Sequence, residues 1–175
     1  MSVRPLAPPE FDQFVSYWLN LSPEEVGRLG VAKERLPSRE AMIAGLERML
    51  ATPADPTFVL AWCVNGETIG HSSLKEIVQG ETANMHLHMW RPHLRGKGFG
   101  PALFCMSAID FYERFALKQI FCEPKAENPG PNRMLQRVGF PMVGQRVGAA
   151  SDISAVSTLN RYLIRRDVAE TYLVK

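Results

Sequence analysis

Arg95-Gly96-Lys97-Gly98-Phe99-Gly100 places three glycines and two cations within six residues. A strand-like stretch, Thr82 to Trp90, precedes it, and a helix-like stretch, Pro101 to Leu117, follows. Glycine adopts positive φ cheaply, so such a turn can aim several backbone N–H groups at one point. The next helix adds its orphan donors and its dipole there, and Arg95 and Lys97 add charge. The chemistry implied is the binding of a phosphate or pyrophosphate. Two common nucleotide frames fail. A Walker A loop needs a glycine five before Gly96 and a Ser or Thr after the Gly-Lys pair, and both are missing. A dinucleotide G-x-G-x-x-G would end on Pro101 or Leu103. The pattern present is R-x-x-G-x-G.

The preceding strand carries a second set of reactive types. Alternation puts Asn84, His86, His88 and Trp90 on one face and Met85, Leu87 and Met89 on the other. Polar side chains are costly to bury without partners. A histidine pair there suits a site where protons move near neutral pH, although two hydrogen-bonded core histidines would give the same pattern. His86-x-His88 can also chelate, but no further ligand stands at a motif spacing, so no metal is expected.

The elements that position these groups are legible from turn and capping signals. Ser2 to Leu6 reads as a short strand, and Glu10 to Leu21 as an amphipathic helix. Ser22-Pro23-Glu24-Glu25 is a capping box that opens a short helix ending near Gly30. Ser38 opens another helix, stopped by Thr52-Pro53-Ala54-Asp55-Pro56. Thr57 to Val64 and Glu67 to Lys75 form a hairpin about Asn65-Gly66, and Gln79-Gly80 turns the chain into Thr82 to Trp90. Leu103, Met106, Ile109 and Tyr112 or Glu113 mark the stripe of the helix after the glycine loop. Gln119 to Cys122 reads as an interior strand. Asn128-Pro129 starts a helix with Met134, Leu135 and Val138 inward and Gly139 at its end. Phe140 to Val147 and Leu159 to Arg165 read as strands, Gly148 to Ser157 as a mobile small-residue loop, and Asp167 to Lys175 as a terminal helix.

Composition narrows the function classes. The chain has 175 residues, 46% of them hydrophobic, which suits one domain, 1–175, with a substantial core. A net charge of +2 without a basic tract argues against nucleic-acid binding. No apolar run reaches membrane-spanning length, and the N-terminus lacks the apolar core of a signal peptide. Cys63, Cys105 and Cys122 have no C-x-x-C spacing and read as reduced, buried thiols, so the expected compartment is the cytoplasm.

A second motif, Asn128-Pro-Gly-Pro-Asn-Arg133-Met-Leu135-Gln-Arg-Val-Gly139-Phe140, follows the glycine loop after one helix and one strand. The two motifs in this order resemble the GNAT N-acetyltransferase superfamily, well over Thr57 to Phe140 and loosely over the N-terminal helices. The resemblance implies an α/β fold of α+β type: a mixed, largely antiparallel sheet flanked by helices, with a splayed central strand before the cofactor loop. It implies a cytoplasmic enzyme that moves an acetyl group directly from acetyl-CoA to a primary amine of a small molecule or peptide. Arg95, Gly96, Lys97, Gly98, Phe99, Gly100 and Pro101 would bind the pyrophosphate. The main chain of His88, Met89 and Trp90 would pair with the pantetheine arm, and Asn128 would bond its amide region. Asn128 also reads as a plain helix cap.

Some members carry a proton-accepting Glu where this chain has Glu123, so Glu123, His86 and His88 are the candidate bases. Many members place a Tyr near the leaving thiolate at the position of Leu135, so that role is vacant or filled elsewhere, Tyr162 being one candidate. The alternative function is a non-catalytic acyl-CoA-binding sensor of the same fold. A monomer or homodimer is expected. The acceptor is left open, although Asp12, Glu24 and Glu25 are acids able to attract an amine.

Overall fold

The structure is a computed structural model that describes residues 1–52 and 55–174. Pro53 and Ala54 of the expected helix stop and Lys175 of the expected tail helix lie outside the described residues. The elements run β1 (Ser2–Pro5), α1 (Phe11–Leu19), α2 (Pro23–Leu29), α3 (Arg39–Ala51), β2 (Phe58–Val64), β3 (Glu67–Val78), β4 (Thr82–Met89), α4 (Phe99–Phe115), β5 (Gln119–Cys122), α5 (Pro129–Val138), β6 (Met142–Gly148), β7 (Ser157–Leu163) and α6 (Arg166–Leu173).

The strands form one seven-stranded sheet in the order β1-β2-β3-β4-β5-β7-β6. All neighbours are antiparallel except β4 and β5. The β2–β3 hairpin turns at Asn65 (φ 50°) and Gly66 (φ 82°), the pair of positive angles that an Asn-Gly turn supplies. β3 runs three residues further than expected. It continues past Glu76, itself at φ 52°, and its register with β4 shifts there.

Alternation along the strands divides the core. Leu60, Trp62, Leu74 and Met85 face α4, α5 and α6, while Val59, Ala61, Cys63 and Trp90 face α1 and α3. The buried face of α4 is wider than the expected stripe. Phe104, Ala108, Phe111 and Phe115 are buried with Leu103 and Tyr112, whereas Met106 and Ile109 are only half-buried. The reason is that α4 packs against α5 and α6 as well as the sheet.

Two further expectations change. The loop after β6 is anchored. Val31 bridges Ser154, Ala32 N–H donates to the Ile153 carbonyl at 2.8 Å, Ala155 N–H to the Gly30 carbonyl at 2.8 Å, and Arg35 Nη1 to the Ser154 carbonyl at 3.1 Å. Its small residues let the backbone approach the segment after α2 closely. Two of the three N-terminal acids are engaged, while Glu24 is exposed. Asp12 pairs with Arg39 at 2.6 Å, and Glu25 closes the α2 capping box and lies 3.6 Å from Arg95. Among the described residues no helix is long and apolar enough to cross a membrane.

Candidate active site

The site grows from a parting of β4 and β5. They pair only over Thr82–Asn84 and Gln119–Phe121. Beyond Asn84, β4 stays bonded to β3 as far as Met89 and leaves its other edge open. The cleft of about 380 Å3 beside this edge is lined by Leu87, His88 and Met89, by Arg95, Gly96, Gly98, Gly100 and Pro101, and by Asn128 and Met134 of the next helix.

The glycine turn has the conformation that an anion cradle needs. Gly96 and Gly98 lie at φ 77° and 85°, and nothing stands within 4 Å of a Cβ placed on either. Among the described residues no backbone carbonyl accepts from the N–H groups of Gly96, Lys97 or Gly98. The first turn of α4 adds its own orphan donors. Arg95 is only partly free: its Nη2 donates to the Met89 carbonyl at 3.3 Å, so it also fastens the turn to the end of β4.

Asn128 departs from a plain cap. It occupies the cap position of α5, yet its side chain makes no capping bond. The residue is 6% exposed and its Oδ1 has no partner. Meanwhile Asn132 Nδ2 holds the backbone by donating to the carbonyls of Asn128 (2.7 Å) and Lys125 (3.0 Å). A buried acceptor left open at the cleft wall is the kind of group that a ligand amide satisfies.

On the α1 and α3 side lies a second cavity, of about 280 Å3. Its floor is His71, Ser73, Lys75, His86 and His88, and its walls are Phe14, Trp18, Met42, Leu46 and Met49. A small third cavity, of about 90 Å3, lies between Glu123, Asn128, His86 and the Ser151–Ser154 loop. Among the described residues, His88 is the one side chain common to all three.

The histidines form a cluster that includes His71, a residue outside the expected site set. His71 pairs with His88 across β3 and β4 and stacks on it, centroids 4.9 Å apart at 20°. Trp90 Nε1 donates to His71 Nδ1 at 2.8 Å. An indole only donates, so this bond leaves the His71 proton on Nε2. Tyr17 Oη lies 3.1 Å from His88 Nδ1. Burial lowers the pKa of all three histidines: His71 to about 3, His86 to about 4, and His88 well below its usual value. The cluster is therefore neutral near pH 7. Glu123 is the charge that opposes this shift at His86.

Glu123 itself is buried just past β5; Arg146 donates to its Oε2, while its Oε1, 3.4 Å from Arg161, accepts no hydrogen bond among the described residues. Tyr162 is not at the cleft. It is fully buried, donates to Asn132 Oδ1 at 3.1 Å and accepts from Gln136. Tyr17 instead lines the cleft, and burial raises its pKa to about 12. Tyr17 is not among the residues that the sequence singles out. Among the described residues no group of three or more His, Cys, Asp or Glu is placed to hold a metal.

The family model described as acetyltransferase (GNAT) domain matches residues 1–141. The chain belongs to the GNAT acetyltransferase family. In this GNAT N-acetyltransferase the glycine turn, the open edge of β4 and Asn128 occupy one cleft. No curated protein matches the sequence.

Several solved structures share the fold. The spermidine N-acetyltransferase of Vibrio cholerae in complex with CoA and spermine aligns at TM-score 0.75 and 17% identity, covering 97% of each chain. The same enzyme in a dodecameric, intermediate state aligns at 0.70 and 17%, covering 95% of this chain and 94% of that one. A chimera of the Vibrio cholerae enzyme with hSSAT aligns at 0.72 and 18%, covering 99% and 98%.

Proposed function

We propose that this chain, as a single acetyltransferase domain, moves the acetyl group of acetyl-CoA directly to a primary amine of a small molecule or peptide. The observation that carries the reading is the position of His88 where the donor cleft meets the cavity behind β4. A group at that junction can touch both partners of a transfer. The glycine turn and the first turn of α4 fit a pyrophosphate, and the unpartnered Oδ1 of Asn128 fits a pantetheine N–H. The open edge of β4 at His88, Met89 and Trp90 offers main-chain groups to an extended arm, as an added strand would. The structural neighbours include an enzyme solved with CoA and spermine, which supports an amine as acceptor.

In this reading the amine approaches from the cavity floored by the histidines. His88 with its proton on Nδ1, donated to Tyr17 Oη, presents a bare Nε2 to the amine. As the new N–C bond forms and the C–S bond breaks, Nε2 takes the amine proton. The Tyr17 hydroxyl gives its proton to the departing thiolate, the role left vacant at Leu135, and takes the Nδ1 proton of His88 in its place, so that the imidazolium is discharged and no phenolate remains. Glu123 and His86 stand behind His88; Arg146 takes up Glu123 Oε2 while Oε1 accepts no hydrogen bond among the described residues, and it is the place of His88 at the junction of the cavities that favours the strand histidine as base.

The test is thiol release from acetyl-CoA over a panel of amines and peptides, with His88→Ala, His86→Ala and Glu123→Gln measured singly. His88→Ala is expected to lower kcat by about 100-fold or more, a typical general-base contribution, with the other two smaller. A larger loss in Glu123→Gln or His86→Ala moves the base there. Tight CoA binding without thiol release for any acceptor establishes the sensor instead.

A further inference from the structure

We propose that the acceptor is a primary amine on an elongated apolar body with an anionic group at its far end, and that Lys75 receives that anion. The inference rests on the acetyl-transfer reading for the place of the amine, beside His88.

The cavity behind β4 is walled mainly by Phe14, Trp18, Met42, Leu46 and Met49. Such walls reward burial of apolar area, not of a chain of charges. A polycation needs carboxylates along its length. Among the described residues the one carboxylate lining this cavity is Asp55, and it is engaged: Arg48 lies 3.4 Å away and Thr57 N–H donates to it at 2.9 Å. Glu123 lines the adjoining small cavity rather than this one, and its charge is paired with Arg146 and Arg161.

The cation at the opposite end has no such partner. Lys75 is half-buried on the cavity floor, and no ion pair among the described residues includes it. With the histidines neutral, the floor carries net positive charge. The field of Lys75 reaches them, since it is among the causes that lower the pKa of His71 and His86.

Register gives the length of the ligand. His71 pairs with His88 and Lys75 with Asn84, four residues further along the strand. Four residues of strand span about 13 Å, and the lysine stem shortens the gap, so amine and anion stand roughly 7–13 Å apart. Ser73 lies midway on the floor.

The experiment uses 4-(2-aminoethyl)benzoate, its benzamide counterpart and spermidine as acceptors. Each is measured by thiol release and, independently of turnover, by calorimetry with CoA bound. The benzoate is expected to exceed the benzamide by about tenfold in kcat/KM and in affinity, the worth of one charged contact, with spermidine weakest. Lys75→Met should level the benzoate and the benzamide, and Lys75→Glu should reverse them, circular dichroism confirming that both variants are folded. Spermidine as the best ligand, or a benzoate-to-benzamide ratio unchanged in Lys75→Glu, overturns the proposal. Discrimination in calorimetry with no thiol release from any amine upholds this acceptor class and overturns acetyl transfer. Thiol release without discrimination does the reverse.

Discussion

The hydroxyl of Tyr17, on α1, lies 3.1 Å from Nδ1 of His88, on β4. This contact joins two residues 71 positions apart and puts a phenol on the glycine-turn cleft beside the residue that also lines the cavity behind β4. Tyr17→Phe removes the hydroxyl and keeps the ring that packs on Trp18 and His88. Loss of kcat by about 10- to 100-fold with little change in the KM for acetyl-CoA is expected for a group that orients a base and donates a proton. A thioester with a more acidic leaving thiol should narrow the gap between Tyr17→Phe and the parent, because the leaving group then needs less help. Steady-state kinetics with both donors checks this.

Asn128 and Gly98 separate two parts of donor binding. Asn128→Ala deletes the unpartnered Oδ1 without removing a helix cap, since the side chain does not cap α5. The KM for acetyl-CoA should rise by about tenfold, the worth of one good hydrogen bond, with thermal stability nearly unchanged. Gly98→Trp puts a bulky side chain at φ 85° in the cradle and should abolish measurable CoA affinity. Calorimetry reads both, and unchanged affinity in Gly98→Trp removes the cradle assignment.

Gly70 holds the end of β4 in place from the neighbouring strand. A Cβ there would collide with the His88 carbonyl oxygen and lie 3.2 Å from Met89 Cα, both backbone atoms. Gly70→Ala must therefore push the two strands apart next to the proposed base. A stability loss of about 1–3 kcal/mol in urea unfolding is expected, typical of overpacking a closed interior. Activity should fall further than the folded fraction, because the displaced residue is His88. Equal losses of activity and folded fraction would place His88 away from the chemistry.

The neutral histidines make stability depend on pH. The folded chain holds the His71 pKa at about 3 and the His86 pKa at about 4, against 6.5 for the free side chain. Between those values the unfolded chain binds more protons, so stability rises with pH and falls as pH drops below 6.5. Each such group contributes a slope of about 1.4 kcal/mol per pH unit. Urea unfolding between pH 6.5 and 5, above most carboxylate titration, should show this loss. His71→Gln, which keeps an acceptor for Trp90 Nε1, should flatten the slope by about one proton. A slope unaffected by the change would mean that His71 is not held neutral.

Much of the local backbone around the cleft is legible in the chain itself because its signals are local. Gly96 and Gly98 announce positive φ, Asn65-Gly66 announces the hairpin, and Ser22 with Glu25 announces a capped helix; all three take the expected form. The alternation that puts His86, His88 and Trp90 on one face also holds, because a strand has a period of two whatever packs against it. The stripe of α4 is wider than its sequence indicates, since its width depends on how many elements cover the helix. The loop after β6 is anchored rather than mobile because the partners of Ile153, Ser154 and Ala155 lie more than a hundred residues away.

The sequence by itself determined the positive-φ glycine turn, the order of the elements and the family to which they belong, since each is carried by signals within a few residues. The tertiary structure alone decided what surrounds the reacting groups. It set His71 against His88 through strand register, brought Tyr17 from α1 to their side, paired Glu123 with Arg146 and Arg161, and, among the described residues, left Lys75 outside every ion pair. Those are properties of contact across the sheet, and contact, burial and the charge of a cavity come into being only when distant segments pack.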